Sequence, residues 1–538
     1  MFRTRYDEEE KLWSGIDMPS VFNERVSLGH AILWTLQKNP AKIGQINSET
    51  KIQLTNADIR LKTIQAAQNL QKLGYGKGDV FAICARNNHY VAPIAFASLC
   101  LGCPLNTLDT SFGEPELTHM LSITRPKVVF CDADVSELIE CVLEKIEIEA
   151  KIFTFIGGDG NSIPVEELFT ETNDEDHFTV AEVDGENDVA FIICTSGSTG
   201  LPKGVCLSHA ILLNQCSQFD NDHQDIVFTF SSLYWISGVI ILISTTLNGS
   251  CRIITTEKFT PELMVAIIEE HQVTQFVSAS HYLVLALGCE QFFRANWSSV
   301  RSILCGGSKL STVVACQMLQ HVKNGEIRSC YGMSEMGGVM SSGSVRELSD
   351  ESNGNIIPGL QIKIIDDNGD RVGVNEVGEI CTKYKYKFIG YYGNEEATRG
   401  ATDSEGFLLT GDVGYFDESG NIYFVDRKKE MLKYCSSQIS PIEIEQFLMK
   451  HDYIQVACVI GIPDPVAGDL PAAVIMLREN AEISTEVVEG MIADHFTDYK
   501  QLRGGVYFVD AIPLTPSGKV VRRVVKELAI ELYNKRKY

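Results

Sequence analysis

The residues with the most chemistry to offer run from Phe191 to Val205, Phe-Ile-Ile-Cys-Thr-Ser-Gly-Ser-Thr-Gly-Leu-Pro-Lys-Gly-Val. The apolar run Val189 to Cys194 that feeds them has the length of a buried strand. It breaks into six small residues, Thr195, Ser196, Gly197, Ser198, Thr199 and Gly200. Small hydroxyl residues and glycines let backbone N–H groups turn inward around an anion. Lys203 adds a positive charge at the far end. This is phosphate-cradling chemistry. A Walker A loop is excluded, because no Gly-Lys-Ser/Thr follows the first glycine at the required spacing. A Gly/Ser turn without function has the same composition. The strand before this one and the Pro-Lys-Gly after it favour the cradle.

Such a loop needs a sheet behind it. Asn56 to Leu73 has the periodicity of an amphipathic helix, with Asn56 placed to cap it and Gly74 to end it. Val80–Cys84 and Lys127–Asp132 read as strands, and Val91 to Leu101 as a helix between them. Alternating helix and strand implies a mainly parallel sheet with crossovers. Asp225–Phe230 is a further strand. Thr260-Pro261-Glu262 opens a helix with a cap, an N1 proline and a first-turn acid; His271, on its buried face, reads as structure rather than as a ligand. Ser302–Cys305 runs into Gly306-Gly307-Ser308-Lys309, a second glycine turn at a strand end, where a doubly wound sheet places ligands. From Asn355 to Arg427 the pattern changes to short strands and turns, implying an antiparallel subdomain. Ser440-Pro441-Ile442-Glu443 is a capping box that starts a helix.

Composition sets the bounds. At 538 residues two or more domains are expected. Apolar content of 44% and charged content of 22% describe an ordinary globular protein. No apolar run reaches the roughly 18 residues of a spanning helix, and the N-terminus lacks the apolar stretch of a secretory signal. The net charge of −25 argues against nucleic acid as the main partner. Residues 427–538 are charge-balanced, so all of that charge lies on residues 1–426. A polyanionic ligand there must be held by local N–H groups, a metal ion and a few lysines. The sixteen cysteines read as reduced thiols of an intracellular protein. Cys100 and Cys103 have Cys-x-x-Cys spacing, but no second pair completes a zinc site, and they read as buried structural thiols.

Thr-Ser-Gly-Ser-Thr-Gly-Leu-Pro-Lys-Gly-Val resembles the signature loop of the adenylate-forming superfamily: acyl-CoA synthetases, 4-coumarate:CoA ligases, beetle luciferases and peptide-synthetase adenylation domains. Four further segments follow in the family's order. The first is Gly306-Gly307-Ser308, similar to a glycine turn that lines the adenine and acyl pocket. Tyr331-Gly332-Met333-Ser334-Glu335 is similar to Tyr-Gly-x-Thr-Glu. There Tyr331 offers a flat face for adenine, Ser334 a hydroxyl for a phosphate oxygen, and Glu335 a hard carboxylate for Mg²⁺. Leu409-Thr410-Gly411-Asp412 follows, with Asp412 placed to accept from both ribose hydroxyls. The last is Pro513-Leu514-Thr515-Pro516-Ser517-Gly518-Lys519. Its lysine is implied to hold the carboxylate and α-phosphate as charge builds on phosphorus.

The resemblance implies more. Trp235 stands, by its distance to Gly238, where the family carries a His or another aromatic between the ATP, acyl and CoA channels; a core tryptophan is the equal alternative. Tyr423-Phe424-Val425-Asp426-Arg427-Lys428 is similar to the segment joining a large and a small lobe. Phe424 and Arg427 would sit at the nucleotide, and Asp426 to Lys428 would be the pivot. In the loop that follows, Lys433, Tyr434 and Gln438 match the family, whereas Cys435 replaces a lysine and Ser436 a glycine. That glycine lets backbone approach the acyl adenylate and pantetheine, so a Cβ there narrows the thiol's path.

The implied fold is α/β. Its large lobe, 1–426, holds two stacked αβ subdomains and an antiparallel β subdomain; its small α+β lobe, 427–538, is hinged. The implied activity is an ATP- and Mg²⁺-dependent acid–CoA ligase acting on a fatty or aryl-propenoic acid through an acyl-AMP. Two alternatives are an adenylating enzyme with weak CoA use, luciferase-like, and a non-catalytic nucleotide-binding relative. A cytoplasmic place is favoured over a peroxisomal one, because Lys535-Arg536-Lys537-Tyr538 is no Ser-Lys-Leu signal.

Overall fold

The computed structural model describes the chain apart from residues 1–2, 17–21, 24, 158–161, 196–201, 218, 308–309, 311, 347–351, 436, 465, 515–519 and 538. Ser196, Gly197, Ser198, Thr199, Gly200, Ser308, Ser436 and Lys519 of the expected site therefore lie outside the described residues.

Among the described residues four sheets carry the fold. The first has seven strands. From one edge they run Lys203–Ser208, Val189–Thr195, Leu105–Leu108, Phe81–Cys84, Val128–Asp132, Lys151–Phe155 and Ile163–Pro164. All pairs are parallel except the edge pair formed by the two strands that flank the Gly/Ser loop. The second has nine strands. Its parallel centre includes Ile226–Thr229, Gln275–Ala279, Ser302–Gly306 and Glu326–Met333. The third is a six-stranded antiparallel sheet. It takes in Leu360–Ile365, Gly378–Tyr384, Leu408–Phe416 and Ile422–Arg427, and also an N-terminal hairpin, Thr4–Asp7 and Leu12–Gly15.

Helices join the first two sheets. Val91–Leu101 is buried along its whole length. It packs against Leu28–Lys38 and Asn56–Lys72, and Leu28–Lys38 in turn against Ile236–Asn248. A helix apolar on every side belongs inside a layered core. One apolar cluster runs from Phe81 and Phe130 of the seven-stranded sheet through these helices to Ile362 and Phe416 of the antiparallel sheet. Trp13 fixes the hairpin to that cluster, stacked between Tyr6 and Phe416 with ring centroids 4.6 and 4.5 Å away.

The fourth sheet, with five strands, belongs to the small lobe: Leu432–Tyr434, Ser437–Ile439, Ile454–Asp464, Gly468–Leu477 and Gly505–Phe508. Helices Pro441–Met449, Thr485–His495 and Arg522–Lys537 pack on it, with two apolar clusters of their own. Among the described residues no helix is long and apolar enough to cross a membrane.

One expected cap shifts. Thr55, not Asn56, caps the helix Asn56–Lys72, in a full capping box with Asp58. Asn56 is instead the first helical residue, and its side-chain amide donates to Asn39 O at 3.0 Å. Threonine accepts as well at this position, and Asp58 three residues on completes the pair.

Candidate active site

The Gly/Ser loop leaves and re-enters the seven-stranded sheet at one register position, because Thr195 lies opposite Lys203. The Thr195 hydroxyl donates to Lys203 O at 3.4 Å. The helix Glu114–Thr124 braces the loop's end, where His119 Nε2 donates to Pro202 O at 2.9 Å.

The Lys203 ammonium stands over the ring of Tyr391, 4.7 Å from its centroid, a contact worth ~0.5–2 kcal/mol. Tyr391 is held by backbone. Val205 pairs with it across an antiparallel bridge, Cys206 N–H donates to Gly390 O at 3.0 Å, and Tyr392 N–H donates to Gly204 O at 2.7 Å. Gly390 has φ +131°, and a Cβ there would stand 2.6 Å from the Thr398 methyl. Only glycine takes this turn.

The Tyr391 hydroxyl donates to Glu335 Oε1 at 2.9 Å. Glu335 comes from the nine-stranded sheet, where the strand Glu326–Met333 ends in the single turn Ser334–Met336. Gly332 makes that ending possible: a Cβ there would lie 2.0 Å from Gly338 O. Burial pushes the Glu335 carboxyl above its ordinary range, against the pull of the Tyr391 hydroxyl, Arg427 and Lys203. Burial and the Glu335 charge push the Tyr391 phenol up as well, so it stays a donor.

On the same strand the Tyr331 hydroxyl donates to Asp412 Oδ2 at 2.7 Å. Asp412 lies opposite Arg427 in the antiparallel sheet, and Arg427 Nε stands 3.6 Å from Asp412 Oδ1. Phe424 completes this wall, its ring centroid 5.9 Å from that of Tyr331. Burial and Asp412 raise the Tyr331 phenol far above its usual range. Lys429, just past Arg427, is held below the ordinary lysine range by burial and by the charge of Arg427.

The glycine turn lies next door. Ser302–Gly306 pairs with Glu326–Met333, and Gly307 has φ +83°. A Cβ on Gly306 would come 3.4 Å from Cys330 O, so the turn runs close against the Tyr331 strand.

Three sheets thus converge on one place. Lys203 with Thr195, Glu335 with Tyr331, and Asp412 with Arg427 each come from a different one. Trp235 stands apart, at the cap position of the helix Ile236–Asn248, half-buried and edge-on to Tyr234 at 4.6 Å. Among the described residues no hydrogen bond or ring contact joins it to Glu335 or Tyr331. Lys433 lies in the small lobe, exposed and paired in register with Gln438, its backbone N–H donating to Asp469 Oδ2 at 3.1 Å. Cys435, between them, is exposed and has φ +46°.

Asp426 is fully buried. It accepts from the Ser440 hydroxyl at 2.8 Å and from Ile442 N–H at 3.1 Å, at the start of the helix Pro441–Met449. Lys428 binds back to the large lobe through Glu379 at 2.6 Å.

Sequence reasoning missed Tyr391 and His119. Gly390-Tyr391-Tyr392-Gly393 before the capping Asn394 is a turn signal that could have marked the first. His119 is one polar residue on an amphipathic helix, and nothing in the sequence separates it from a surface residue.

Among the described residues no group of three or more metal-ligating side chains exists. A hard cation at Glu335 would therefore take most of its oxygens from phosphate and water, which is how Mg²⁺ usually binds. A part-buried carboxylate beside Lys203 and Arg427 fits that donor set.

Comparison with known proteins places the chain among related sequences and folds. The model of the AMP-binding enzyme family matches residues 33–392, and that of the AMP-binding enzyme C-terminal domain matches 443–519. A probable 4-coumarate–CoA ligase of Dictyostelium discoideum is 28% identical over 95% of this chain and 96% of its own length. A luciferin 4-monooxygenase of Photuris pensylvanica is 28% identical over 90% of this chain and 92% of its own. Among solved structures, an anthranilate CoA ligase in complex with anthranoyl-AMP superposes with TM-score 0.87 at 21% identity, covering 95% of this chain and 99% of that one. The luciferase-like enzyme of the nonluminescent mealworm Zophobas morio gives 0.73 at 29%, covering 78% and 99%.

Proposed function

This chain belongs to the AMP-binding enzyme family, and we propose that it works there as an ATP-dependent acid–CoA ligase. One observation carries the reading. The Tyr331–Asp412–Arg427 cluster and the Glu335–Tyr391–Lys203 cluster share a single place where three sheets end. The first suits a nucleoside: Asp412 accepts from ribose hydroxyls, with Tyr331 and Phe424 beside the base. The second suits phosphate oxygens, received by Lys203, the loop Thr195–Gly200 and the hydroxyl of Ser334. Gly306, Gly307 and Ser308 border the acyl end. At Glu335, Mg²⁺ would neutralise phosphate charge.

A carboxylate then attacks the α-phosphorus and expels pyrophosphate. The protein needs no nucleophile of its own; it positions the two reactants and stabilises charge. Lys519 holds the transferring group in this step. The division at 426/427 lets the small lobe turn, bringing Lys433, Ser436 and Gln438 toward the acyl-AMP for attack by the CoA thiol. Trp235 borders that path. The substrate is a fatty or aryl-propenoic acid. Sixteen free thiols support a reducing, cytoplasmic setting.

The test is exchange of labelled pyrophosphate into ATP, which must require a carboxylic acid. Asp412→Ala should cut kcat/KM for ATP about tenfold to a hundredfold, the loss of ~1.5–3 kcal/mol of hydrogen bonding to a charged group. Exchange equal to wild type in Asp412→Ala contradicts the nucleoside assignment.

A second reading is favoured by one feature. The loop assigned to CoA carries Ser436 where the family has a glycine, and beside it Cys435, exposed and at φ +46°, where the family has a lysine. An adenylating enzyme that hands its acyl group poorly to CoA would tolerate this.

A further inference from the structure

We propose that Tyr391 is the positioning residue that couples the metal carboxylate to the phosphate-loop lysine. The inference rests on the nucleotide reading above, and it concerns a residue to which that reading gives no role.

The phenol makes two contacts of different kinds. Its hydroxyl donates to Glu335 Oε1 at 2.9 Å, and its ring face lies 4.7 Å from Lys203 Nζ. Glu335 is delivered by the nine-stranded sheet and Lys203 by the edge of the seven-stranded sheet. Tyr391 itself comes from the connection, in sequence, between two paired strands of the antiparallel sheet, Gly378–Tyr384 and Leu408–Phe416. Among the described residues no other side chain joins both groups by hydrogen bond or ring contact.

Its own position is over-determined. Tyr391 N–H donates to the Thr398 hydroxyl at 2.9 Å, and that hydroxyl donates to Asn394 O at 2.8 Å. The Val205 bridge and the bonds from Gly390 O and Tyr392 N–H pin the backbone on the other side. Phe388 meets the ring edge-on at 5.3 Å. A side chain so fixed sets the place of whatever it touches.

The two contacts divide the labour. By engaging Glu335 Oε1, the hydroxyl fixes the rotation of the carboxylate that would hold the cation. The ring attracts the ammonium through its negative face and so holds it near the site.

Two variants separate the contacts. Tyr391→Phe keeps the ring and loses the hydroxyl; Tyr391→Leu loses both. Binding of ATP by calorimetry, with and without Mg²⁺, reads each without turnover. Wild type should bind ATP more tightly with Mg²⁺. Tyr391→Phe should keep the metal-free affinity and lose about tenfold of the metal-dependent gain. In turnover its Mg²⁺ requirement should rise while KM for ATP at saturating Mg²⁺ stays put. Adding Glu335→Gln to Tyr391→Phe should cost less than Glu335→Gln alone. Tyr391→Leu should weaken metal-free ATP binding as well, by about the loss seen in Lys203→Met. The coupling is overturned if Tyr391→Phe matches wild type with and without metal, or if Mg²⁺ adds nothing to ATP binding in wild type. Should Tyr391→Leu not fold, Tyr391→Phe decides alone. Should all this hold while no acid supports pyrophosphate exchange, the ligase reading fails and the coupling stands.

Discussion

Cys435 shows how one residue can carry both a cost and a clue. Its φ of +46° lies in the left-handed region, where a residue with a Cβ loses roughly 1–2 kcal/mol. Its N–H donates to Ala467 O at 2.8 Å, so the strained turn is pinned to the neighbouring hairpin. The sequence placed the missing glycine at Ser436, by family pattern; the strained residue in the structure is its neighbour. Cys435→Gly should therefore raise stability of the small lobe by about 1 kcal/mol. If the loop limits thiol access, the same change should speed the CoA step. Denaturant unfolding checks the first effect and CoA-dependent AMP release the second; a less stable Cys435→Gly would contradict the strain.

At the scale of elements, the sequence was most legible where one chain segment decides its own structure. Thr260 accepts from Leu263 N–H ahead of Pro261, and Ser440 accepts from Glu443 N–H ahead of Pro441, both as cap chemistry requires. Residues 91–101 form their helix because an apolar run of that length has nowhere to lie but between layers. What stayed hidden depends on distant partners. The hairpin Thr4–Gly15 is short and acidic at its turn, and nothing local says it completes a sheet whose other strands begin at Leu360. Tyr391 and His119 act through contacts with Glu335 and Pro202, which no spacing reveals. Trp13 is the hairpin's anchor, with no exposed surface between Tyr6 and Phe416. Trp13→Ala should cost ~3–5 kcal/mol, in line with large aromatic deletions from cores. A change below about 1 kcal/mol in urea unfolding would mean the hairpin is dispensable.

The whole molecule carries buried titratable groups that tie stability to pH. His209 is buried and accepts from Leu28 N–H through Nδ1 at 3.2 Å, and burial lowers its pKa to about 4. The unfolded chain takes up that proton near pH 6.5 while the folded chain does not. Stability contributed by neutral His209 is therefore present above pH 6.5 and is lost as pH falls toward 4, by up to ~3 kcal/mol. Burial lowers His281 to about 4 too, with the same sign. Asp132 opposes them: burial raises it to about 6, so its protonation favours the folded state as pH falls from 6 toward 4. Burial raises Glu335, Asp426 and Glu445 as well, so they act with Asp132, and the histidine contribution is isolated by a variant. His209→Asn keeps an acceptor for Leu28 N–H without the titration. Its unfolding free energy should fall less between pH 7 and pH 5 than that of wild type, and an equal fall would remove His209 from the account.

Across the molecule the central claim is that three sheet ends form one site that makes an acyl-AMP and passes it to CoA. The most direct measurement is pyrophosphate release with ATP and Mg²⁺ across a panel of carboxylic acids, each run with and without CoA. The account predicts release that requires an acid, rises with CoA, and yields AMP and an acyl-CoA thioester. Release that ignores CoA would assign the chain to adenylation alone. No release with any acid, from folded protein that still binds ATP, would contradict the catalytic reading.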